Sequence, residues 1–353
     1  MSSTPPQDVL ATEKLTLRAA LIERIGGYMT AHAIGVATEL GLADLIGTGS
    51  RTSAELATST GTHEPSLRRL LRTLVAVGIA EEPEPGSFAL TGIGSQLRSD
   101  SPDSLHNFAK MFCHPIFLTS WQSLHHTVST GERAFDHVYG MGVYDWLAQH
   151  GETSTLFNEA MSEESRISAG QLAAGYDFPA TGTVVDLGGG DGTLLTAILS
   201  ARPELRGIVF DSPSGVAEAA AALGKAGLSD RCEVRAGDFF QSVPGEGDLY
   251  IIKSVFQDWG DDEARAILRT VRAHMPAQAT LLIVGTVLPE TADTAAPVAY
   301  FTDINMMVMT GGQERTEGEF RALLAETGFT VRSVGLGQAG PLSVIQAVPA
   351  ATA

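Results

Sequence analysis

The sequence predicts an α/β protein in two parts: a mostly helical N-terminal domain, then a doubly wound parallel sheet whose last strand turns antiparallel. Three observations predict it. Beyond Thr181, short apolar strands alternate with helical segments, the pattern of a parallel sheet covered on both faces. The last two strand-like runs, 330–336 and 342–348, are joined only by Gly337-Gln338-Ala339-Gly340-Pro341. So short a link makes a hairpin, not a crossover. Before residue 104, helical runs lead into two short strands, a winged-helix pattern.

Taken in order, residues 1–14 read as a loose tail. Helical spacing follows through Ile22, Ile25, Ala33, Val36, Leu40, Leu42 and Leu45. Thr52 opens a short helix at 53–58, with Glu55 placed for a capping box. A helix at 65–77 carries Leu67, Leu70, Leu71 and Leu74 on one face and stops at Gly78. Strands are expected at 79–82 and 87–90, completing a domain over 15–103. Arg68, Arg69 and Arg72 lie on the second helix of the pair, where a nucleic-acid reader would carry its basic residues. The segment 104–180 is helical and aromatic, with Phe108, Phe117, Trp121, Tyr144, Trp146 and Phe157 among others. A Rossmann-like domain over 181–353 then runs through strands at 183–187, 207–210, 232–236, 249–253 and 280–287, with helices at 193–200, 215–225, 261–273 and 317–327.

Composition narrows the function. The 353 residues are 44% hydrophobic, enough for a large core. The net charge of −18 repels phosphate polyanions, which argues against nucleic acid as a partner and favours a scaffolding role for the three arginines. Cys113 and Cys232 form no disulfide framework and match no metal-ligand spacing, so no metal is expected. The start is polar and holds Pro5 and Pro6, and no apolar run reaches the roughly 18 residues of a membrane span. A cytoplasmic protein is expected.

The chemistry gathers at Val184-Val185-Asp186-Leu187-Gly188-Gly189-Gly190-Asp191-Gly192-Thr193, between a strand and a helix. Glycines there permit close approach of a ligand, and the helix points free N–H groups at it. Asp211 ends the next strand, placed to accept hydrogen bonds from ribose hydroxyls. Asp238 ends the third, followed by Phe239 and Phe240, a polar edge beside an apolar wall suited to adenine. Asp186 ahead of the loop would repel a pyrophosphate but welcome an ammonium or sulfonium. The physical reading is therefore S-adenosylmethionine rather than a dinucleotide.

These residues resemble the class I S-adenosylmethionine-dependent methyltransferases, and more narrowly the small-molecule O-methyltransferases with an N-terminal winged-helix dimerisation domain, of the plant caffeate type and its bacterial antibiotic-tailoring relatives. The resemblance spans about residues 15–348. Beside the glycine loop it rests on Phe210-Asp211-Ser212-Pro213, Gly237-Asp238-Phe239-Phe240, Lys253-Ser254-Val255-Phe256-Gln257-Asp258-Trp259 and Glu314-Arg315-Thr316-Glu317-Gly318-Glu319-Phe320. It implies that Gly188 and Gly190 approach the methionine part, that Asp211 with Ser212 holds the ribose, that Asp238 and Phe239 bracket the adenine, and that Lys253 lies over the nucleoside. It also implies a homodimer formed through the N-terminal domain.

The catalytic positions depart from the family. The resemblance puts a basic His directly before Asp258-Trp259, and here it is Gln257. A second family carboxylate falls at Gly285; the third matches Glu314. Gln257, Asp258 and Glu314 are therefore the catalytic candidates. Substrate candidates by resemblance are Phe157, Met161, Phe256, Trp259, Tyr300, Asp303 and Met307. Tyr300, Asp303 and Met307 share one helical face. Glutamine orients by hydrogen bonds and does not titrate. The expectation is O-methyl transfer to an aromatic or polyketide-type natural product, driven largely by proximity. The alternatives are a base relocated to His114, His125, His126 or His137, or a methyltransferase fold using the cofactor for decarboxylation, hydroxylation or rearrangement.

Overall fold

A computed structural model describes residues 7–295, 297–336 and 342–351. The chain forms two compact units, Met1–His114 and Pro115–Ala353. The aromatic segment is divided: residues 104–114 belong to the first unit and 115–180 to the second.

In the first unit the long helical run of the sequence is cut into Gln7–Ile25, Gly27–Glu39 and Leu42–Ile46. The second break falls at Gly41, whose φ of +64° lies in the left-handed region open to glycine. Helix Ser53–Thr60 starts as expected: Glu55 N–H donates to the Thr52 hydroxyl, and the Glu55 carboxylate accepts from the Thr52 N–H. Helix Glu64–Ala76 buries Leu67, Leu71 and Leu74. Strands Ala80–Glu84 and Ser87–Leu90 form the expected wing, to which Ser50–Thr52 adds a third, antiparallel strand. That wing carries Glu81, Glu82 and Glu84, and Glu82 sits 3.8 Å from Arg72. Leu17, Leu21, Ile22, Ile25, Tyr28 and Met29 are each more than half exposed.

The second unit is built on seven strands: β1 (Gly182–Leu187), β2 (Leu205–Asp211), β3 (Cys232–Ala236), β4 (Leu249–Lys253), β5 (Thr280–Gly285), β6 (Phe329–Leu336) and β7 (Ser343–Pro349). Their order is β6-β7-β5-β4-β1-β2-β3. All neighbours are parallel except β7, which runs antiparallel to both β5 and β6. The hairpin reading holds; its link, 337–341, lies outside the described residues. The direction of winding reverses between β1 and β4, which opens a crevice at their C-terminal ends.

Strand alternation decides what faces that crevice. Val184 and Leu249 pack with helices Gly151–Gly175 and Thr193–Ala201, whereas Val185 and Tyr250 pack with helix Asp261–His274 on the other face. Asp186 and Lys253 keep the parity of Val184 and Leu249, so both point to the first of these layers.

Two expected elements differ. Residues 213–218 are turns, and the helix covers only Ala219–Lys225. The chain wraps the Asp211 carboxylate so closely that a Cβ on Gly215 would collide with it. The 280–287 strand ends at Gly285; Val287–Leu288 pairs instead with Arg315–Thr316, in parallel. Among the described residues no helix is long and apolar enough to cross a membrane, and no three His, Cys, Asp or Glu side chains group as a metal site.

Leu195, fully buried where helix Thr193–Ala201 packs on the sheet, offers a direct check. Leu195→Ala is expected to lower unfolding free energy by about 2–5 kcal/mol, measured by urea denaturation.

Candidate active site

The loop after β1 folds back onto β2. The Gly188 N–H donates to the Phe210 carbonyl at 2.8 Å, and the Gly190 N–H donates to Asp211 Oδ2 at 3.0 Å. The Ser212 N–H donates to the other Asp211 oxygen at 2.6 Å. Gly188, with φ of +78°, passes so near the turn after β4 that a Cβ would stand 2.5 Å from Val255 Cγ2. Gly190, with φ of +53°, has nothing within 4 Å of its Cβ position. The loop is thus pinned on one side and open on the other.

Asp186 is 2% exposed, and its Oδ2 has no hydrogen-bond partner among the described residues. Burial pushes its carboxyl up to about 7, against the pull of Lys253. Lys253 is also buried, which lowers its ammonium pKa, while Glu164 and Asp186 oppose that shift; its Nζ donates to Ser165 Oγ at 3.1 Å. Asp238 accepts from the Phe240 N–H at 2.9 Å and from Gln241 Nε2 at 2.8 Å. Carboxylates at the ends of three neighbouring strands, one of them with an unpaired buried oxygen, fit a ligand that carries a sulfonium, an ammonium and a ribose diol.

Sequence reasoning missed the roof of this crevice. Ser162 donates to Asp191 Oδ2 at 2.7 Å, and the Thr193 N–H donates to Asp191 Oδ1 at 3.0 Å. Ser162 and Ser165 sit three apart on one face of helix Gly151–Gly175, the first bonded to the loop and the second to Lys253. The sequence carried no local signal for them: Ser162 and Ser165 lie among other polar residues of the helix, such as Asn158, Glu159 and Arg166.

Beyond β4 the chain turns sharply. Ser254, with φ of +54°, is the one non-glycine residue in the left-handed region among those described, and its N–H donates to the Val284 carbonyl at 2.8 Å. Such strain is of order 1–3 kcal/mol and gathers at functional sites. The following 3-10 turn, Phe256–Asp258, carries Gln257 and Asp258. Gln257 Oε1 lies 3.8 Å from where a Cβ on Gly285 would stand, so the two departures from the family pattern meet in space. The Tyr144 hydroxyl, also missed in the sequence, donates to Asp258 Oδ2 at 2.7 Å. Burial raises the Asp258 carboxyl to about 7, although that hydrogen bond pulls it down.

Glu314 is 6% exposed, and its Oε1 has no partner among the described residues. Burial raises its pKa to about 8, helped by the charges of Asp303 and Asp258, while a hydrogen bond with Thr286 and the Arg315 charge oppose the shift. Glu314 and Asp258 therefore stand close enough to feel each other.

The aromatic candidates separate. Trp259 packs edge-on against Phe240 and Phe239, with ring centroids 4.8 and 6.1 Å apart, and 6.3 Å from Tyr144. It thus stands between the Phe239–Phe240 pair, on the side where the resemblance places adenine, and Tyr144, the partner of Asp258. Phe256, expected at the substrate, is 3% exposed in the core beneath the sheet. Asp303 has a partner inside the protein: its Oδ1 accepts the Glu314 N–H at 2.8 Å. Tyr300 accepts the Asp293 N–H at 3.1 Å. Phe157 meets Tyr144 edge-on at 6.3 Å, and Met161 and Met307 are half-buried.

Comparison with known proteins joins the two units to one family. Residues 121–330 match the O-methyltransferase domain, and residues 22–100 match the O-methyltransferase dimerisation domain. The chain belongs to the O-methyltransferase family. The O-demethylpuromycin-O-methyltransferase of Streptomyces alboniger is 46% identical over 336 residues, 93% of this chain and 88% of that protein. The crystal structure of LaPhzM superposes with a TM-score of 0.89 at 40% identity, covering 94% of this chain and 99% of that one. NcsB1 from neocarzinostatin biosynthesis, crystallised with S-adenosylmethionine and 2-hydroxy-5-methyl naphthoic acid, superposes at 0.77 with 33% identity over 91% of this chain and 96% of its own. This O-methyltransferase uses S-adenosylmethionine. Its family favours methyl transfer over the alternative of cofactor-assisted decarboxylation, hydroxylation or rearrangement.

The raised Glu314 pKa sets a pH dependence of stability. The folded state holds this proton from about 8 downward, whereas an unfolded Glu releases it near 4.3. The proton's stabilising contribution is therefore full below the unfolded pKa and lost as pH rises through about 8. Glu314→Gln is expected to flatten that loss, so the variant gains on the wild type between pH 5 and 9, by an amount on the order of 1–3 kcal/mol. Thermal unfolding across that range measures it.

Proposed function

We propose that this enzyme methylates a hydroxyl on an aromatic, polyketide-type acceptor, working as a homodimer through its N-terminal unit. In this reading Gly188 and Gly190 receive the methionine part of S-adenosylmethionine, and Asp186 offers its unpaired oxygen to that cationic end. Asp211 and Ser212 hold the ribose. Asp238 and Phe239 bracket the adenine, with Trp259 behind them, and Lys253 covers the nucleoside. The bound cofactor supplies a methyl group on an electrophilic sulfonium.

The observation that carries the mechanism is Gln257 beside Gly285, with no imidazole and no carboxylate at those two positions. Gln257 orients the acceptor oxygen through its carboxamide and takes no proton. A positioned base contributes about 10²–10⁴ in rate, whereas alignment reaches effective molarities of about 10⁵–10⁸ M. Alignment therefore outweighs the missing base, above all for acceptors whose hydroxyl is already acidic. Asp258, raised to about 7, is partly ionised at neutral pH and is the group that can take the acceptor's proton, whereas Glu314, raised to about 8, keeps its own proton there. Phe157, Met161 and Met307, with Tyr300 at the start of helix Pro297–Met309, are the remaining acceptor contacts in this reading.

Calorimetric titration with S-adenosylmethionine, followed by S-adenosylhomocysteine release in the presence of O-demethylpuromycin or a hydroxynaphthoic acid, tests it. Binding and stoichiometric release are expected; no heat on titration would sink the assignment. Asp211→Asn is expected to weaken cofactor binding by about 10–100-fold, since a charge-assisted hydrogen bond contributes about 1.5–3 kcal/mol. Gln257→His is expected to add a rise in kcat with pH near the histidine range, about 6.5; an unchanged profile would show that position 257 does not reach the acceptor.

The exposed apolar run of the first unit supports the homodimer. Leu21→Glu combined with Ile25→Glu is expected to halve the mass measured by light scattering.

A further inference from the structure

Arg315 is 1% exposed and is among the largest fully buried side chains of the molecule. All five of its N–H groups are spent. Nη1 donates to the Phe256 carbonyl at 3.0 Å and to the Gln313 carbonyl at 3.4 Å. Nη2 donates to the Trp259 carbonyl at 2.9 Å and to Asp261 Oδ1 at 2.9 Å. Nε donates to the same Asp261 oxygen at 3.0 Å. The two carbonyls from the turn flank Gln257 and Asp258 on either side. The same residue follows Glu314 in the chain and pairs in strand register with Val287, two residues beyond Gly285. Gly312 in turn lies so close to the Gln257–Trp259 backbone that any Cβ there would collide with it.

We propose that Arg315 is a positioning residue for methyl transfer: its guanidinium clamps both ends of the Phe256–Trp259 turn and so sets Gln257 and Asp258 at a fixed distance from Glu314. The inference rests on the alignment mechanism proposed above. Where rate comes from alignment, a misplacement of about 1 Å costs about 10²-fold. A lysine keeps the charge but carries three donors on one nitrogen in place of a rigid fork of five spread over three nitrogens, and cannot span three carbonyls and a carboxylate.

The test compares the full-length wild type with Arg315→Lys. Transfer to O-demethylpuromycin is followed as S-adenosylhomocysteine release, and backbone amide exchange is followed by mass spectrometry. The expected result is a kcat lowered by about tenfold or more with KM for S-adenosylmethionine held within about threefold, and exchange at 256–260 accelerated by about tenfold while β1 and β2 stay within about twofold. A kcat within about twofold of wild type for the folded variant, or exchange accelerated evenly through the sheet, overturns the proposal. If Arg315→Lys does not fold, Asp261→Ala decides: it removes the guanidinium's charged partner, and local acceleration at 256–260 is expected, whereas unchanged exchange there overturns it. Absence of product from the wild type with any hydroxylated acceptor would instead refute the functional reading, and leaves the exchange comparison to judge Arg315.

Discussion

The bond between the Gly190 N–H and Asp211 Oδ2 couples the ends of β1 and β2, and the site is organised around it. A carboxylate at a strand end is solvated and aimless unless backbone donors fix it. Here the glycine loop supplies one donor and Ser212 the other, so Asp211 is oriented before any ligand arrives. The same bond holds the loop in the left-handed conformation that leaves Gly190 open to the crevice. Loop, strand end and following helix are one preorganised unit, and the ordering of these groups is complete before binding.

Charge then selects the ligand. Asp186, Asp191 and Asp211 stand near enough to interact, with Lys253 as the buried counter-charge of Asp186, and Asp238 follows the end of β3 beside β2. A dinucleotide pyrophosphate would meet like charge there. A sulfonium with an ammonium meets the opposite, including a buried carboxylate oxygen that the protein leaves unpaired. The acidic excess of the whole chain reinforces this field at long range.

The methyl-accepting side follows a different logic. In the reading proposed above, Gln257 and Gly285 stand where the family pattern would carry a proton, and the two positions are adjacent in space. What remains is rigidity: a strained Ser254, a turn clamped from below by Arg315, a glycine pressed against the turn, and two buried carboxyls whose pKa values lie near 7 and 8. Under the proposed mechanism such a site exchanges acid–base power for placement, and would suit acceptors acidic enough to need little help.

The sequence by itself determined the sheet, the antiparallel final strand, the capped helices of the first unit and the carboxylates at strand ends, because each is written in local periodicity, in turn residues or in link length. It also located Gln257, Gly285 and Glu314, since those departures sit inside contiguous motifs. It did not reveal the pairings between segments far apart in the chain: Tyr144 with Asp258, Ser162 with Asp191, Asp303 with the Glu314 amide, or Trp259 against Phe239 and Phe240. Those depend on how helices lie across a finished sheet, and no spacing along the chain encodes them. The tertiary structure alone decided that Phe256 belongs to the core and that residues 213–218 turn instead of coiling, because both follow from what already occupies the space beside them: a hydrophobic cluster in one case and the Asp211 carboxylate in the other.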